Sequence, residues 1–264
     1  MDSKSIQRLV GLTDIPKNLF WFALGLASVA GASYPSTPLM AVFSYLLAMF
    51  AANALGMYAR YETSGKYGPG LREGIMPGPL APPDALAAAI LLSCGAIALS
   101  LTVSLNFLAI IALLLFTVLV NNLMVMQSME SRLYDVASFG AVKYLCVMAG
   151  VGSLGFPSPY SWPLIIGLPA IYAASVRGFW QDRYSFDENV GKTGLVFLFV
   201  AVLFIMCWIF GMPVNLLNLA LFLGWLILTL AALYLPFYVE RMMDICYYLL
   251  SGAVLTAALF LFAT

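Results

Sequence analysis

Residues 84–126 read DALAAAILLSCGAIALSLTVSLNFLAIIALLLFTVLVNNLMVM, and Asp84 is the only charged residue among them. The apolar runs at 84–104 and 106–126 are each long enough to cross a hydrocarbon core of about 30 Å as an α-helix. The segment therefore predicts two consecutive membrane-spanning helices with a turn near residue 105. The class of the whole fold follows when the other apolar runs of the chain are interpreted in the same way.

Comparable apolar runs recur along the chain. Of its 264 residues, 63% are hydrophobic and 9% are charged, whereas an average soluble domain has about 25% charged residues. So few charges exclude a water-exposed surface, and lipid is the expected solvent. We predict an all-α, polytopic membrane protein with a single domain over residues 1–264 and nine transmembrane helices. These helices are placed at 18–33, 37–58, 84–104, 106–126, 137–155, 163–179, 193–210, 215–236 and 243–263.

The charged residues are distributed on one side of the predicted membrane. With the helices placed as above, all 12 Lys and Arg residues and all 12 Asp and Glu residues lie in or beside the segments on the N-terminal side. The positive-inside rule then makes the N-terminus cytoplasmic and the C-terminus external. We predict an integral protein of the plasma membrane whose polar loops, and any chemistry they perform, face the cytoplasm.

Two residue types limit that chemistry. The chain has no histidine, which excludes Ser-His-Asp and Cys-His catalysis and sites in which histidine ligates zinc or haem. Its cysteines lie far apart in apolar runs without metal-ligand spacing, at Cys94, Cys146, Cys207 and Cys246. They are expected to be small core residues, and no nucleic-acid partner is expected.

Two of the predicted cytoplasmic loops are much longer than the others. The first, 58–84, is rich in glycine and proline, which rules out a continuous helix across it, and the second, 178–193, is rich in acidic residues. Because cations contact phosphate oxygens and carboxylates hold Mg²⁺, a phosphorylated lipid with its tail among the helices suits such loops. The alternative is that the cations only enforce topology and contact lipid head groups.

The first loop and the helix before it resemble a known signature. The segment NALGMYAR, from Asn53 to Arg60, leads to LREGIMPGPLAPPDA at 71–85 and then to an apolar helix. This arrangement is similar to the first signature of the UbiA superfamily of membrane prenyltransferases, in which an Asn and an Asp-rich run precede the loop. In the register that begins at Asn53, the positions of the family's aspartates hold Ala54, Met57 and Tyr61.

The second loop, DRYSFDENVGKTGLV at 182–196, resembles the family's second signature. Asp187 keeps the family's spacing of four residues to Gly191. The position four residues before Asp187 holds Arg183, and Asp182 is displaced from it by one residue. With nine spans and both signatures on the cytoplasmic side, the resemblance covers nearly the whole chain.

The resemblance implies a UbiA-like helical bundle and an intramembrane prenyltransferase. Such an enzyme transfers an isoprenyl group from a diphosphate donor to an aromatic or lipid acceptor, among membrane lipids. The implied cofactor is Mg²⁺, held by Asp182, Asp187 and Glu188. Arg72 and Lys192 would neutralise the leaving diphosphate. The full set of implied substrate-binding residues is Asn53, Arg60, Lys66, Arg72 and Lys192.

Two other functions stay open. A divergent, non-catalytic member of the family would act as a lipid-binding or structural subunit of a complex with membrane protein partners, and the missing aspartates favour it. A small transporter is the third hypothesis, and Pro169 within the sixth predicted helix is the feature that points to it.

Lys143 and Asp135 form a further polar pair near the start of the fifth predicted helix. They can form a salt bridge or face a polar cavity, because ionisable groups at membrane depth seldom face lipid. The alternative is that Lys143 extends its side chain to the cytoplasmic interface. Arg177 is interpreted as a cation that sets topology or contacts head groups.

Overall fold

The computed structural model of the chain describes residues 7, 9, 11–29, 37–64, 81–126, 131–179, 186–234 and 242–263. Within these residues the regular structure is entirely helical, as predicted, and contains nine α-helices. They are α1 (Ile15–Ala27), α2 (Thr37–Ser64), α3 (Pro82–Leu101), α4 (Leu105–Met126), α5 (Arg132–Leu154), α6 (Trp162–Ala173), α7 (Phe186–Ile209), α8 (Leu216–Tyr234) and α9 (Met242–Phe262). Short 3₁₀ turns precede α1 and α6, at Leu12–Asp14 and Pro159–Ser161, and a π-helical segment, Ala174–Phe179, follows α6.

The surfaces of these helices suit lipid. Leu91, Leu105 and Leu216 are 73%, 78% and 85% exposed, and a soluble protein rarely leaves large apolar surfaces open to water. The stretches that are long and apolar enough to cross a membrane are Leu39–Ser64, Pro82–Leu101, Leu105–Met124, Leu133–Leu154 and Gly191–Ile209. They support a membrane protein, while the count of nine spans and the sides of the termini stay predictions.

α2 extends into the first predicted loop. It continues to Ser64 instead of ending at residue 58, because residues 58–64 contain neither glycine nor proline to stop it. In its last turns the hydroxyls of Thr63 and Ser64 donate hydrogen bonds to earlier carbonyl oxygens of the same helix. Arg60, predicted for the loop, therefore lies on the helix.

α7 likewise extends into the second predicted loop. It begins at Phe186 instead of residue 193, so that Asp187, Glu188 and Lys192 lie on a helix. Carboxylates in a first turn are favoured by the partial positive charge of a helix N-terminus. The prediction that these three residues belong to a loop was therefore wrong.

Two other helices begin three or more residues earlier than predicted. α1 starts at Ile15, where Pro16 suits a first turn because a proline lacks the N–H that would be unpaired there. α5 starts at Arg132, which makes Asp135 a first-turn residue and puts Lys143 at the twelfth position of the helix instead of near the sixth. Lys143 consequently lies further from the start of its helix than the sequence indicated.

The chain divides into two compact units. Unit one comprises Met1–Leu19 and Ser33–Ser131, and unit two comprises Phe20–Ala32 and Arg132–Thr264. In unit one, α2 packs on α3 and α4. The buried Ser44 hydroxyl donates to the Ala96 carbonyl at 2.8 Å, and the Tyr45 hydroxyl donates to the Asn18 carbonyl at 2.9 Å. Polar groups of unit one are therefore paired between helices, as an apolar solvent requires.

Unit two contains α5 to α9 together with the end of α1. The carbonyl oxygen of Ser28, just beyond the end of α1, accepts hydrogen bonds from the Ser158 N–H at 2.8 Å and from the Ser161 hydroxyl at 3.3 Å. These bonds tie the segment between α5 and α6 to α1. Further along, Phe204 of α7 meets Phe260 of α9 edge to face, with ring centroids 4.7 Å apart.

Candidate functional site

Asn53 of α2 lies against the N-terminal segment in unit one. Gly11 has a φ of +66° at the start of the first 3₁₀ turn, a conformation that glycine adopts readily. A Cβ added there would collide with the Asn53 side chain, whose Cγ would be 2.9 Å away. Packing against Gly11 therefore positions the side-chain amide of Asn53. Arg60, seven residues and about 10 Å further along α2, is exposed.

The neighbouring positions of the first signature do not form a metal site. Ala54 is completely buried, in an apolar cluster with Leu9, Ala85 and Ala89, and Met57 packs against that cluster. A carboxylate at position 54 would lose its hydration without gaining a charged partner in this cluster. The residues present in this part of α2 do not fit Mg²⁺, so any metal ligands must come from elsewhere in the chain.

The second signature occupies the first turns of α7. Asp187 and Glu188 are the second and third residues of the helix, and Lys192 follows one turn after Glu188. Lys192 is half-buried and Thr193 is buried. The N-terminus of a helix attracts anions through its free N–H groups. This backbone arrangement suits a phosphate near the start of α7.

Several of the predicted site residues cannot be placed. Asp182, Lys66 and Arg72 lie outside the described residues, as do the side chains of Asp187 and Glu188. Among the residues that the structure does describe, no three His, Cys, Asp or Glu side chains lie close enough to hold a metal ion. The predicted Mg²⁺ ligands therefore stay a prediction.

A charged and aromatic group of residues, which we call the Phe139 cluster, lies in unit two. It consists of Asp135, Phe139 and Lys143 on α5, Tyr172 on α6, and Arg177 in the π segment. The Arg177 Cζ lies 5.0 Å and the Lys143 Nζ 5.4 Å from the centroid of the Phe139 ring. The ring of Tyr172 stacks on Phe139 with centroids 5.9 Å apart. Two cations thus share one aromatic ring.

Helical geometry brings these side chains together. Asp135, Phe139 and Lys143 are spaced by four residues, so they follow one another along a single face of α5. In a π-helix each N–H pairs with the carbonyl five residues back, and Arg177 follows Tyr172 by five residues. The π segment thereby brings Arg177 toward the face that carries Tyr172, and both contact Phe139.

Sequence reasoning singled out Asp135 and Lys143 as a pair but missed the partner that the structure gives to Asp135. The Asp135 carboxylate faces Arg177, with 3.8 Å between Oδ2 and Nη1. The Lys143 Nζ lies beside the ring of Phe139, one turn nearer the start of α5, and both alternatives for this side chain stay open. The spacing on α5 was readable in the sequence, whereas the π segment has no clear sequence signal.

Each unit also contains an apolar cavity. One, of about 500 Å³, lies between α5 and α6 in unit two and is lined by residues that include Gly140, Tyr144, Pro169 and Ala173. The other, of about 430 Å³, lies among α2, α3 and α4 in unit one. Both have the apolar lining that a hydrocarbon chain requires.

Comparison with known proteins identifies the fold. No protein-family model matches the chain, and no curated protein matches it. A structure of a UbiA homolog from Archaeoglobus fulgidus bound to DMAPP and Mg²⁺ is 13% identical, with a TM-score of 0.60 over 98% of this chain and 99% of that chain. The homolog bound to GPP and Mg²⁺ is 14% identical, with a TM-score of 0.61 over 98% and 100%.

A third similar structure concerns digeranylgeranylglyceryl phosphate synthase in membranes. It is 15% identical to this chain, with a TM-score of 0.62 over 99% of both chains. The chain thus has the fold of UbiA homologues over nearly its full length, which confirms the resemblance at the level of the fold. Identities of this size do not carry a ligand or a reaction from those proteins to this one.

Proposed function

We propose that this chain is an intramembrane prenyltransferase that transfers an isoprenyl group from a diphosphate donor to a lipid or aromatic acceptor. The observation that carries this proposal is its full-length likeness in fold to a UbiA homolog that was solved with an isoprenyl diphosphate and Mg²⁺. The start of α7 adds support, since Asp187, Glu188 and Lys192 occupy its first two turns. The polar loops are proposed to face the cytoplasm.

The proposed ligands of Mg²⁺ are Asp182, Asp187 and Glu188 of the second signature. When bound, Mg²⁺ would offset the negative charge of the diphosphate. α2 offers no carboxylate at Ala54 or Met57, and we therefore propose the ligands from the second signature. The residues proposed to contact the diphosphate donor directly are Asn53, Arg60, Lys66, Arg72 and Lys192.

The second candidate is a lipid-binding or structural subunit without catalytic activity. A specific observation favours it, because Ala54 and Met57, which stand at positions of the first signature's aspartates, belong to a packed apolar cluster. Under this proposal the fold and its apolar cavities persist, whereas diphosphate cleavage has been lost.

Binding of geranylgeranyl diphosphate to the purified protein in lipid nanodiscs distinguishes the two candidates. The transferase proposal predicts tight binding that is lost with excess chelator and in a double variant, Asp187→Asn with Glu188→Gln. Asp14→Asn, which removes a half-exposed carboxylate paired with Lys17 at 3.6 Å, is the matched control and should bind normally. Binding that is unchanged by removal of Mg²⁺ and by the double substitution would favour the non-catalytic subunit.

A further inference from the structure

We propose that the 430 Å³ cavity among α2, α3 and α4 holds one hydrocarbon chain of a membrane phospholipid. All of the residues that line this cavity belong to unit one. The phospholipid would be a structural ligand, neither the donor nor the acceptor of the proposed transfer. The inference therefore does not rest on the proposed function.

The cavity lies at membrane depth. Each of its three helices contains a stretch long and apolar enough to cross a membrane, and among the described residues that line the cavity none is charged. On α3 the lining begins at Leu86, two residues after the charged Asp84, and ends at Ile97. The α-helix rises about 16 Å between these two residues, close to half of a hydrocarbon core of about 30 Å. The cavity therefore has the depth of one leaflet.

The cavity opens sideways toward the surrounding lipid. Ala51 and Ala89 of its lining are buried, whereas Ile90 and Phe116 are 55% and 61% exposed. Cys94, which also lines the cavity, is exposed and is not part of a disulfide. Small buried side chains thus form the floor of the cavity, and large exposed ones form its rim. A chain in the bilayer can enter from the side without passing through water.

The width of the cavity distinguishes a lipid chain from a partner helix. A volume of about 430 Å³ over a length of about 16 Å gives a mean cross-section of about 27 Å², which corresponds to a width of about 6 Å. An α-helix with its side chains is about 10 to 12 Å wide, so a transmembrane helix of another protein would not fill the cavity. A single hydrocarbon chain is narrow enough to do so.

Dispersion contacts provide the reason for a chain to stay in this cavity. In lipid the hydrophobic effect does not drive apolar groups together, but side chains that face a void lose the contacts that neighbouring atoms would supply. A chain in the cavity contacts three helices at once, whereas a chain on the convex surface of one helix contacts that helix alone. We therefore expect this phospholipid to dissociate more slowly than the lipids around it.

The first test introduces an aromatic ring into the cavity. Cys94→Phe fills part of it, and Ala98→Phe, one turn further along α3 at an exposed position outside the lining, is the matched control. Each protein is transferred from nanodiscs of phosphatidylglycerol and phosphatidylethanolamine into mild detergent, and the retained lipids are counted by native mass spectrometry. We expect Ala98→Phe to match the wild type and Cys94→Phe to retain one lipid fewer. Equal counts in a folded Cys94→Phe variant would overturn the proposal.

Cys94 itself provides the second test, which decides the matter if Cys94→Phe does not fold. In a variant whose other three cysteines are replaced by alanine, the delipidated protein is treated with N-ethylmaleimide, with and without phosphatidylglycerol. At a lipid concentration about ten times the dissociation constant, alkylation of Cys94 should slow about tenfold, because the chain covers the thiol. An unchanged rate would contradict the proposal. Loss of geranylgeranyl diphosphate binding in folded Cys94→Phe would also overturn it, by assigning the cavity to the isoprenyl donor.

Discussion

Gly25 of α1 and Gly150 of α5 lie in backbone contact within unit two. A Cβ added to Gly25 would be 2.9 Å from the Cα of Gly150 and would collide with the carbonyl oxygen of Val147. A Cβ added to Gly150 would be 3.0 Å from the Cα of Gly25 and would collide with the Phe22 carbonyl. Small residues allow this approach, which in lipid replaces the hydrophobic effect as a source of helix association.

Gly150→Ala should therefore destabilise the protein. Since the obstructing atoms belong to the backbone and cannot rotate away, we expect a loss of about 1 to 3 kcal/mol, as for overpacked cores. The measurement is thermal unfolding in detergent, followed by size-exclusion chromatography. Gly224→Ala in α8 is the control, because nothing lies within 4 Å of the added methyl group. Equal stability of the two variants would contradict the close contact.

Ala54→Asp should destabilise unit one instead of restoring a metal site. The new carboxylate would enter the apolar cluster around Leu9 and Ala85 without a partner, at a cost of about 3 kcal/mol or more. Denaturation of the purified protein by increasing SDS measures the change. Tyr61→Asp, at a half-buried position near the end of α2, should cost less than about 1 kcal/mol. Stabilisation of Ala54→Asp by Mg²⁺ would refute this prediction.

Ser44→Ala removes a hydrogen bond between α2 and α3. Ser44 is fully buried and its hydroxyl donates to the Ala96 carbonyl at 2.8 Å, so we expect a loss of about 0.6 kcal/mol, typical of such bonds in membranes. Thr117→Ala is the control, because its hydroxyl is exposed and bonds within its own helix to Leu113. Steric trapping or SDS denaturation can resolve the difference, and an equal effect of both substitutions would argue against the interhelical bond.

Labelling of two introduced cysteines can test the orientation of the chain in the membrane. Leu133 lies at the start of α5 and Phe156 lies two residues beyond its end, and they are 80% and 82% exposed. In a variant whose four cysteines are replaced by alanine, Leu133→Cys should react with an impermeant maleimide only after the cells are permeabilised. Phe156→Cys should react in intact cells, because the positive-inside rule puts it outside. The reverse pattern would overturn the predicted topology.

Much of the fold was predictable from the chain. Runs such as residues 84–126 predicted α3 and α4 to within four residues at each end, because an apolar solvent forces every backbone group to pair within its own helix. The ends of α2 and α7 were harder to predict. Residues 58–64 and 186–192 are polar, and hydropathy does not distinguish a polar helical turn from a loop. Arg60 and Lys192 were therefore assigned to loops although they lie on helices.

The sequence by itself determined that this is an all-α membrane protein and that it is similar to the UbiA superfamily. Both properties depend on composition and on spacing along one chain. Only the tertiary structure decided that Ala54 lies in an apolar cluster and that Arg177 and Lys143 share the ring of Phe139. Such contacts depend on how helices are rotated and packed against one another. A one-residue change of phase, like that of the π segment that contains Arg177, alters them without altering hydropathy.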